Sequence, residues 1–234
     1  MGLFDKFAAR KALLKHSKGE TEEAYKEYGE LFEAGKMVDA KYLLPYSILL
    51  MRRGEYEKAR EVLKKAEKSP GGINAEQRAT LLTNYAVCCW KLGRRDYALE
   101  LMEEVHRKNP NGNSYGTLGY LLVENGDFDR ALAFNKQALE YDDEDPIALD
   151  NMAQTYYWLG GEEGKKEALK WFKKAIKFKP EAIDTNYFLA KYDIEAGDYS
   201  AAREKLEICK KGRVSPLNYA TRERVDELLA SIPE

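Results

Sequence analysis

Few side chains in this sequence could do chemistry, and their spacing decides what they could do. Histidine occurs twice, as His16 and His106. Each falls in a helix-period stretch with no His, Cys or Asp partner at metal-ligand spacing, so the sequence assigns no metal site. Cysteine occurs three times, as Cys88, Cys89 and Cys209. Two are adjacent and none forms a CxxC pair, which argues against a disulfide framework, a zinc site and a dithiol redox centre. The glycines stand singly or as Gly71-Gly72 and Gly160-Gly161, without the GxGxxG or GK[ST] context that cradles phosphates. The acidic run at 142–145 (D-D-E-D) precedes Pro146. It suits a solvated turn that sets negative charge at the next helix's N-terminus, and it lacks the pattern of a calcium loop. The expectation is a chain that is not an enzyme, with no catalytic residue, no cofactor and no metal.

Composition narrows the classes further. The 234 residues are 44% hydrophobic and 33% charged, with a formal net charge of −2, an ordinary balance for a chain with a substantial core. Nearly matched acids and bases do not supply the excess of positive charge that nucleic acid requires, so no nucleic-acid partner is expected. No apolar run approaches the roughly 20 residues that span a bilayer. The first residues, MGLFDKFAARKALLKHSKG, interleave charge with apolar residues and lack a signal-peptide core. The expected location is cytoplasmic.

The organisation of the chain comes from repetition. A glycine, a short polar or aromatic link and an alanine opening an amphipathic run recur: G-E-Y-E-K-A at 54–59, G-R-R-D-Y-A at 93–98, G-D-F-D-R-A at 126–131 and G-D-Y-S-A-A at 197–202. A weaker copy lies at 19–24 and a longer one at 160–168. The alanines at 24, 59, 98, 131, 168 and 202 recur every 33 to 39 residues. Helix-period patterns flank each phrase: Leu82, Tyr85, Ala86 and Cys89 before Gly93, then Ala98, Leu101, Met102 and Val105 after it. Glycine at the end of the first helix fits a left-handed C-cap. Pro70, Pro110, Pro146, Pro180 and Pro216 fall between units, where proline ends one helix or opens the next.

Numbered with the recurring alanine at position 20, these units resemble the tetratricopeptide repeat (TPR). Positions 4, 7, 8, 11, 20, 24, 27 and 32 are Leu82, Tyr85, Ala86, Cys89, Ala98, Met102, Val105 and Pro110 in one unit. The next has Tyr115, Leu118, Gly119, Leu122, Ala131, Asn135 and Ala138. The one after has Leu149, Met152, Ala153 and Tyr156, then Ala168, Phe172 and Ala175 after three inserted residues. Small residues at 8, 20 and 27 let helices approach; large ones at 4, 7, 11 and 24 fill the gaps. The resemblance implies an all-α fold, a right-handed α-solenoid forming one domain over 1–234. Its parts would be a degenerate first repeat at 1–39, five clear repeats at 40–216, and a C-terminal capping helix at 217–232, read as one amphipathic helix from Pro216 to Ile232. Lys11 and Lys15 replace core positions in the first unit. Asn135 and Asp193 are polar at apolar positions, which suggests a local slip of register. The S-P-G-G-I-N stretch at 69–74 is the expected loosest joint.

The resemblance also implies a function. In the family, positions 2, 5, 6, 9, 12 and 13 of each first helix line a groove that takes a protein or peptide. Mapped here, the partner-binding set is Asn84, Val87, Trp90, Tyr120, Asn151, Tyr157, Trp158, Tyr187 and Phe188. Asn84 and Asn151 stand where relatives hold a peptide backbone by its amides, and the aromatics would select apolar side chains. The competing reading has these rings packing against neighbouring repeats or beneath a terminal helix folded into the groove. The expected protein is thus an interaction scaffold or adaptor, with a self-assembling structural module as the alternative and an enzyme accessory subunit behind it. At the N-terminus, Leu3, Phe4, Phe7 and Leu14 share a face beside five Lys or Arg between Gly2 and Lys18. That face either touches an anionic membrane surface or packs as part of the degenerate repeat, the reading favoured by Ala8, Ala12 and Leu13.

Overall fold

The computed structural model describes residues 2–233, which form 13 α-helices. They fall into two compact units, Met1–Asn109 and Pro110–Glu234. The first holds α1 (Leu3–Ser17), α2 (Thr21–Glu33), α3 (Ala40–Arg52), α4 (Tyr56–Glu67), α5 (Ala75–Lys91) and α6 (Arg95–Lys108). The second holds α7 (Gly112–Asn125), α8 (Phe128–Tyr141), α9 (Pro146–Leu159), α10 (Gly161–Phe178), α11 (Ile183–Glu195), α12 (Tyr199–Lys211) and α13 (Arg222–Ala230). Consecutive helices pair as antiparallel hairpins: α1 with α2, α3 with α4, α5 with α6, α7 with α8, α9 with α10 and α11 with α12. Within each unit the hairpins stack, as in the contacts of α3 with α5 and of α7 with α9. No described helix is long and apolar enough to cross a membrane.

The sequence frame locates the packing. All six recurring alanines, at 24, 59, 98, 131, 168 and 202, have no exposed surface. Buried in the second helix of each hairpin, a side chain this small lets neighbouring helices approach closely. The glycines that precede them, at 19, 54, 93, 126, 160 and 197, all take positive φ between 77° and 83°, the conformation that ends the first helix and that other residues resist. The three inserted residues of the fourth repeat lengthen α10 to 18 residues, so the frame after Ala168 is undisturbed.

Several expectations need correction. No register slip occurs at Asn135, which is fully buried at position 24. Its Nδ2 donates to Thr155 Oγ1 at 3.3 Å. Space for it comes from Gly119 across the hairpin: a Cβ there would lie 2.1 Å from Asn135 Oδ1. Asp193 also keeps its place, because Lys205 neutralises it at 2.6 Å. The division between units falls at Asn109 and Pro110, whereas the 69–74 stretch lies inside the first unit. There Asn74 caps α5 by accepting from Gln77 N–H at 2.8 Å while the Gln77 side chain accepts from Asn74 N–H at 3.1 Å.

The two ends of the chain also differ from expectation. In the first hairpin Ala12 is buried as expected, Ala9 is buried where Ala8 was expected, Ala8 and Leu13 are half-buried, and α1 contacts both α2 and α3. Lys15 and Lys11 both reach Glu27, at 2.8 and 3.4 Å, so the lysines at core positions tie α1 to α2 by charge. Leu3, Phe4 and Phe7 do not join that packing and stay exposed. At the other end, the continuous helix expected from Pro216 to Ile232 begins only at Arg222. Residues 213–221 form a turn and a bend instead. Thr221 caps α13 through the Arg224 N–H, and the amides just before it are held elsewhere.

Candidate functional site on the inner helices of residues 110–234

The first helices of the second unit's hairpins, α7, α9 and α11, bound a cleft of about 550 Å³. Its wall includes Asn113, Gly116, Thr117 and Tyr120 of α7, Ile147, Asp150 and Asn151 of α9, and Asp184 of α11. In the repeat frame these are positions 2, 5, 6 and 9. Gly116 brings α7 and α9 together: a Cβ on it would stand 2.9 Å from Ile147 Cγ2. Asn151, expected to hold a peptide backbone, donates its Nδ2 to the Gly116 carbonyl at 2.9 Å. That bond locks α9 to α7 at the cleft floor.

Two aspartates that the groove mapping passed over dominate the electrostatics. Asp150 and Asp184 are buried. Asp150 Oδ1 accepts from Thr185 Oγ1 at 2.6 Å and Oδ2 from Gln154 Nε2 at 2.6 Å. Burial and the nearby Asp184 charge push the Asp150 carboxyl well above the usual carboxylate range, against the pull of those two donors. Asp184 is also pushed up by burial, opposed by two backbone N–H groups. They belong to the C-terminal segment: Tyr219 N–H donates to Oδ2 at 3.0 Å and Ala220 N–H to Oδ1 at 2.9 Å. Gly212, Arg213, Ser215, Leu217 and Asn218 close one side of the cleft.

The same segment covers the aromatic end of the wall. The Tyr219 ring lies 5.4 Å from Trp158, 5.9 Å from Tyr187 and 5.2 Å from Phe188, centroid to centroid. The Arg224 guanidinium covers its other side at 4.0 Å. Tyr157 packs on Phe188 at 4.8 Å, beneath the Lys191 ammonium at 4.9 Å. Of the residues assigned to partner contact, Tyr120, Asn151, Tyr187 and Phe188 are buried, and Tyr157 and Trp158 are half-buried. In the first unit Val87 and Trp90 are buried, with Arg95 over the Trp90 ring at 4.9 Å. Asn84 is half-buried, and its Nδ2 is enclosed without a hydrogen-bond partner. The structure therefore brings together the members on α7, α9 and α11, with a resident segment over the aromatic ones.

Of the other reactive groups, Cys209 lies behind the cleft wall, its thiol donating to the Ile183 carbonyl at 3.2 Å. All three cysteines are buried and free. Burial pushes the Cys88 and Cys209 thiols up to about 12, so both are protonated and weak nucleophiles. Burial lowers the pKa of His16 and His106.

Comparison with known proteins agrees with this architecture. Residues 47–113 and 112–145 each match a model of the tetratricopeptide repeat. Photosystem I assembly protein Ycf3 of Rippkaea orientalis (strain PCC 8801 / RF-1) is 32% identical over 96 residues. That match covers 36% of this chain and 53% of the relative, so the chain spans about half the length of the curated relative it matches. Among solved structures, TTC0263, a thermophilic TPR protein of Thermus thermophilus, superposes with a TM-score of 0.64 at 18% identity, covering 82% of this chain and 98% of that one. A MamA structure (AMB-1) gives 0.55 at 22% identity, covering 75% and 99%. YrrB, described as a TPR protein with an unusual peptide-binding site, gives 0.50 at 23% identity, covering 74% and 85%. Residues 47–145 are tetratricopeptide repeats, and the whole chain has the all-α solenoid fold of stacked helical hairpins.

Proposed function

We propose that this protein is a non-catalytic interaction scaffold that holds a segment of another protein against the inner helices of residues 110–234. The observation that carries the reading is the cleft on α7, α9 and α11, whose wall is built from the same repeat positions on successive hairpins. Repeat arrays present such walls because stacked units leave one side of every first helix without a further hairpin to cover it. A cleft lined by apolar contacts with a few placed polar groups is a binding site by default. The relative named as an assembly protein and the neighbour described by its peptide-binding site support the broader reading of an interaction scaffold.

The test compares capture by three versions of the full chain. Ile147 is half-exposed at the cleft wall, so Ile147→Arg fills the cleft with charge without opening the core. It should reduce recovery of the native partner at least tenfold relative to wild type. Lys136→Glu, on the exposed side of α8, should leave recovery unchanged. The reverse ranking, with both proteins folded by circular dichroism, would move the site off the inner helices.

A further inference from the structure

The segment 215–220 has the marks of a bound ligand that happens to be covalently attached. It is not helical, and its fold is set by its own short-range bonds. Ser215 N–H donates to Asn218 Oδ1 at 2.6 Å, Leu217 N–H to Ser215 Oγ at 3.1 Å, and Asn218 N–H to the Ser215 carbonyl at 3.0 Å. This turn presents Tyr219 and Ala220 to the inner wall. There the segment makes two kinds of contact at once: paired backbone N–H groups to one carboxylate, and an aromatic ring against three others.

The receiving side is specific for such a segment. Asp184 is buried, and each of its oxygens takes one of the segment's amides. An ionised carboxylate is costly to bury without donors, so the site is built around a chain that brings two successive N–H groups. Trp158, Tyr187 and Phe188 meet the inserted ring at tilted angles of 57°, 57° and 30°, geometries that aromatic pairs favour. Ala220 is fully buried beside Asp184, which leaves no room for a larger residue after the tyrosine. The open cleft continues from the same wall, bounded by 212–218.

We infer that 215–220 is an internal occupant of the partner site, and that the partner carries a segment of the same chemistry: a proline turn, then a tyrosine, then a small residue with a free backbone N–H. The inference rests on the cleft being the partner surface and states what that surface selects. Tethering gives the resident segment a high effective concentration, of the order of millimolar for a short link. A partner segment must therefore bind more tightly, or use the adjoining cleft as well, to replace it. The resident segment sets a threshold that rejects weak ligands.

The test uses the full chain and a fluorescent peptide with the sequence of residues 213–222. In Tyr219→Ala the resident ring is gone while Asp184 and the three wall rings remain. Fluorescence anisotropy should show saturable peptide binding to this variant, at least tenfold tighter than to wild type. A peptide with alanine in place of its tyrosine should not bind, and adding Asp184→Asn should abolish the effect. If Tyr219→Ala does not fold, Asn218→Ala replaces it, because it loosens the turn and leaves every core ring in place. Failure of a folded variant to bind millimolar peptide, or equal binding to wild type, would overturn the inference and leave 215–220 as a cap. Light scattering adds one further outcome: a wild-type dimer dissociated by the peptide would assign the site to a second copy's segment and overturn the assignment to a foreign partner. Because no partner is used, these results are separable from those of the Ile147→Arg capture.

Discussion

The two ends of the chain solve the same problem in opposite ways. The first and last described hairpins each pack against one neighbouring hairpin, through α2 with α3 and α10 with α11, and each has a second face to dispose of. At the C-terminus, α11 and α12 are finished by 213–221 and α13: Ala220, Val225 and Ile232 are buried, and Tyr219 joins an aromatic cluster of Trp158, Phe172, Tyr187 and Phe188. At the N-terminus, α1 buries little more than Ala9 and Ala12 and is tied down by Lys11 and Lys15 on Glu27. Phe4 and Phe7 remain 89% and 73% exposed. The difference teaches that aromatic content alone does not make a core; what matters is whether a covering segment exists to meet the rings.

The comparison breaks most readily at Phe172, which stacks on Phe188 at 5.0 Å and has no exposed surface. Phe172→Ala should cost about 3–5 kcal/mol, seen as a lower urea midpoint for the unit formed by 110–234. An overlaying melt would show the cluster to be energetically idle. Next comes Asp184→Ala, which strands the Tyr219 and Ala220 amides. It should cost about 1–3 kcal/mol, and hydrogen exchange should lose protection at those two amides while α3 and α4 are unaffected. Unchanged protection there would mean that the segment is held by its ring alone.

A further effect, spread over several pH units, is set by pH. In the unfolded chain Asp150 releases its proton in the ordinary carboxylate range, whereas in the folded protein burial and Asp184 hold it to higher pH. Between the two the native state binds more protons, so this contribution to stability is present at low pH and is lost as pH rises through the window. One proton gives a slope of at most about 1.4 kcal/mol per pH unit. Asp184 shifts the same way, and Lys179 opposes the shift of Asp150. Melts of Asp150→Asn from pH 4 to 8 should be flatter than those of wild type; parallel curves would remove Asp150 as the cause. Smallest of all is Phe4→Ser, expected to shift stability by less than about 0.5 kcal/mol. A loss comparable to that of Phe172→Ala would mean that α1 is covered in solution.

Much of this architecture was legible in the residues. The recurring alanines and glycines mark the helix contacts and turns because their roles are local, set by size and by φ. What was not legible depended on distant partners. Tyr219, Val225, Leu228 and Leu229 have helical spacing, yet the first of them leaves the helix because Asp184, 35 residues earlier, takes its amide. Asp150 and Asp184 occupy groove positions 5 and 2, so the frame that names Tyr187 and Trp158 also holds the two carboxylates. A charged residue within an otherwise apolar inner face was the available signal. Asn151 lies on the cleft wall of α9, but its amide serves the Gly116 carbonyl, a bond that depends on how closely α7 and α9 approach.

The pairing of Gly119 with Asn135 has a consequence for how this sequence can drift. Alanine at 119 puts a methyl group 2.1 Å from Asn135 Oδ1 and 3.0 Å from Asn151 Nδ2, so that change is blocked while the asparagine stands. Replacing Asn135 first with a smaller apolar residue opens the way, at the loss of its bond to Thr155. The order of steps is therefore biased: a lineage that gains a side chain at 119 should first have given up the amide at 135, and Asn151 must then ease aside as well.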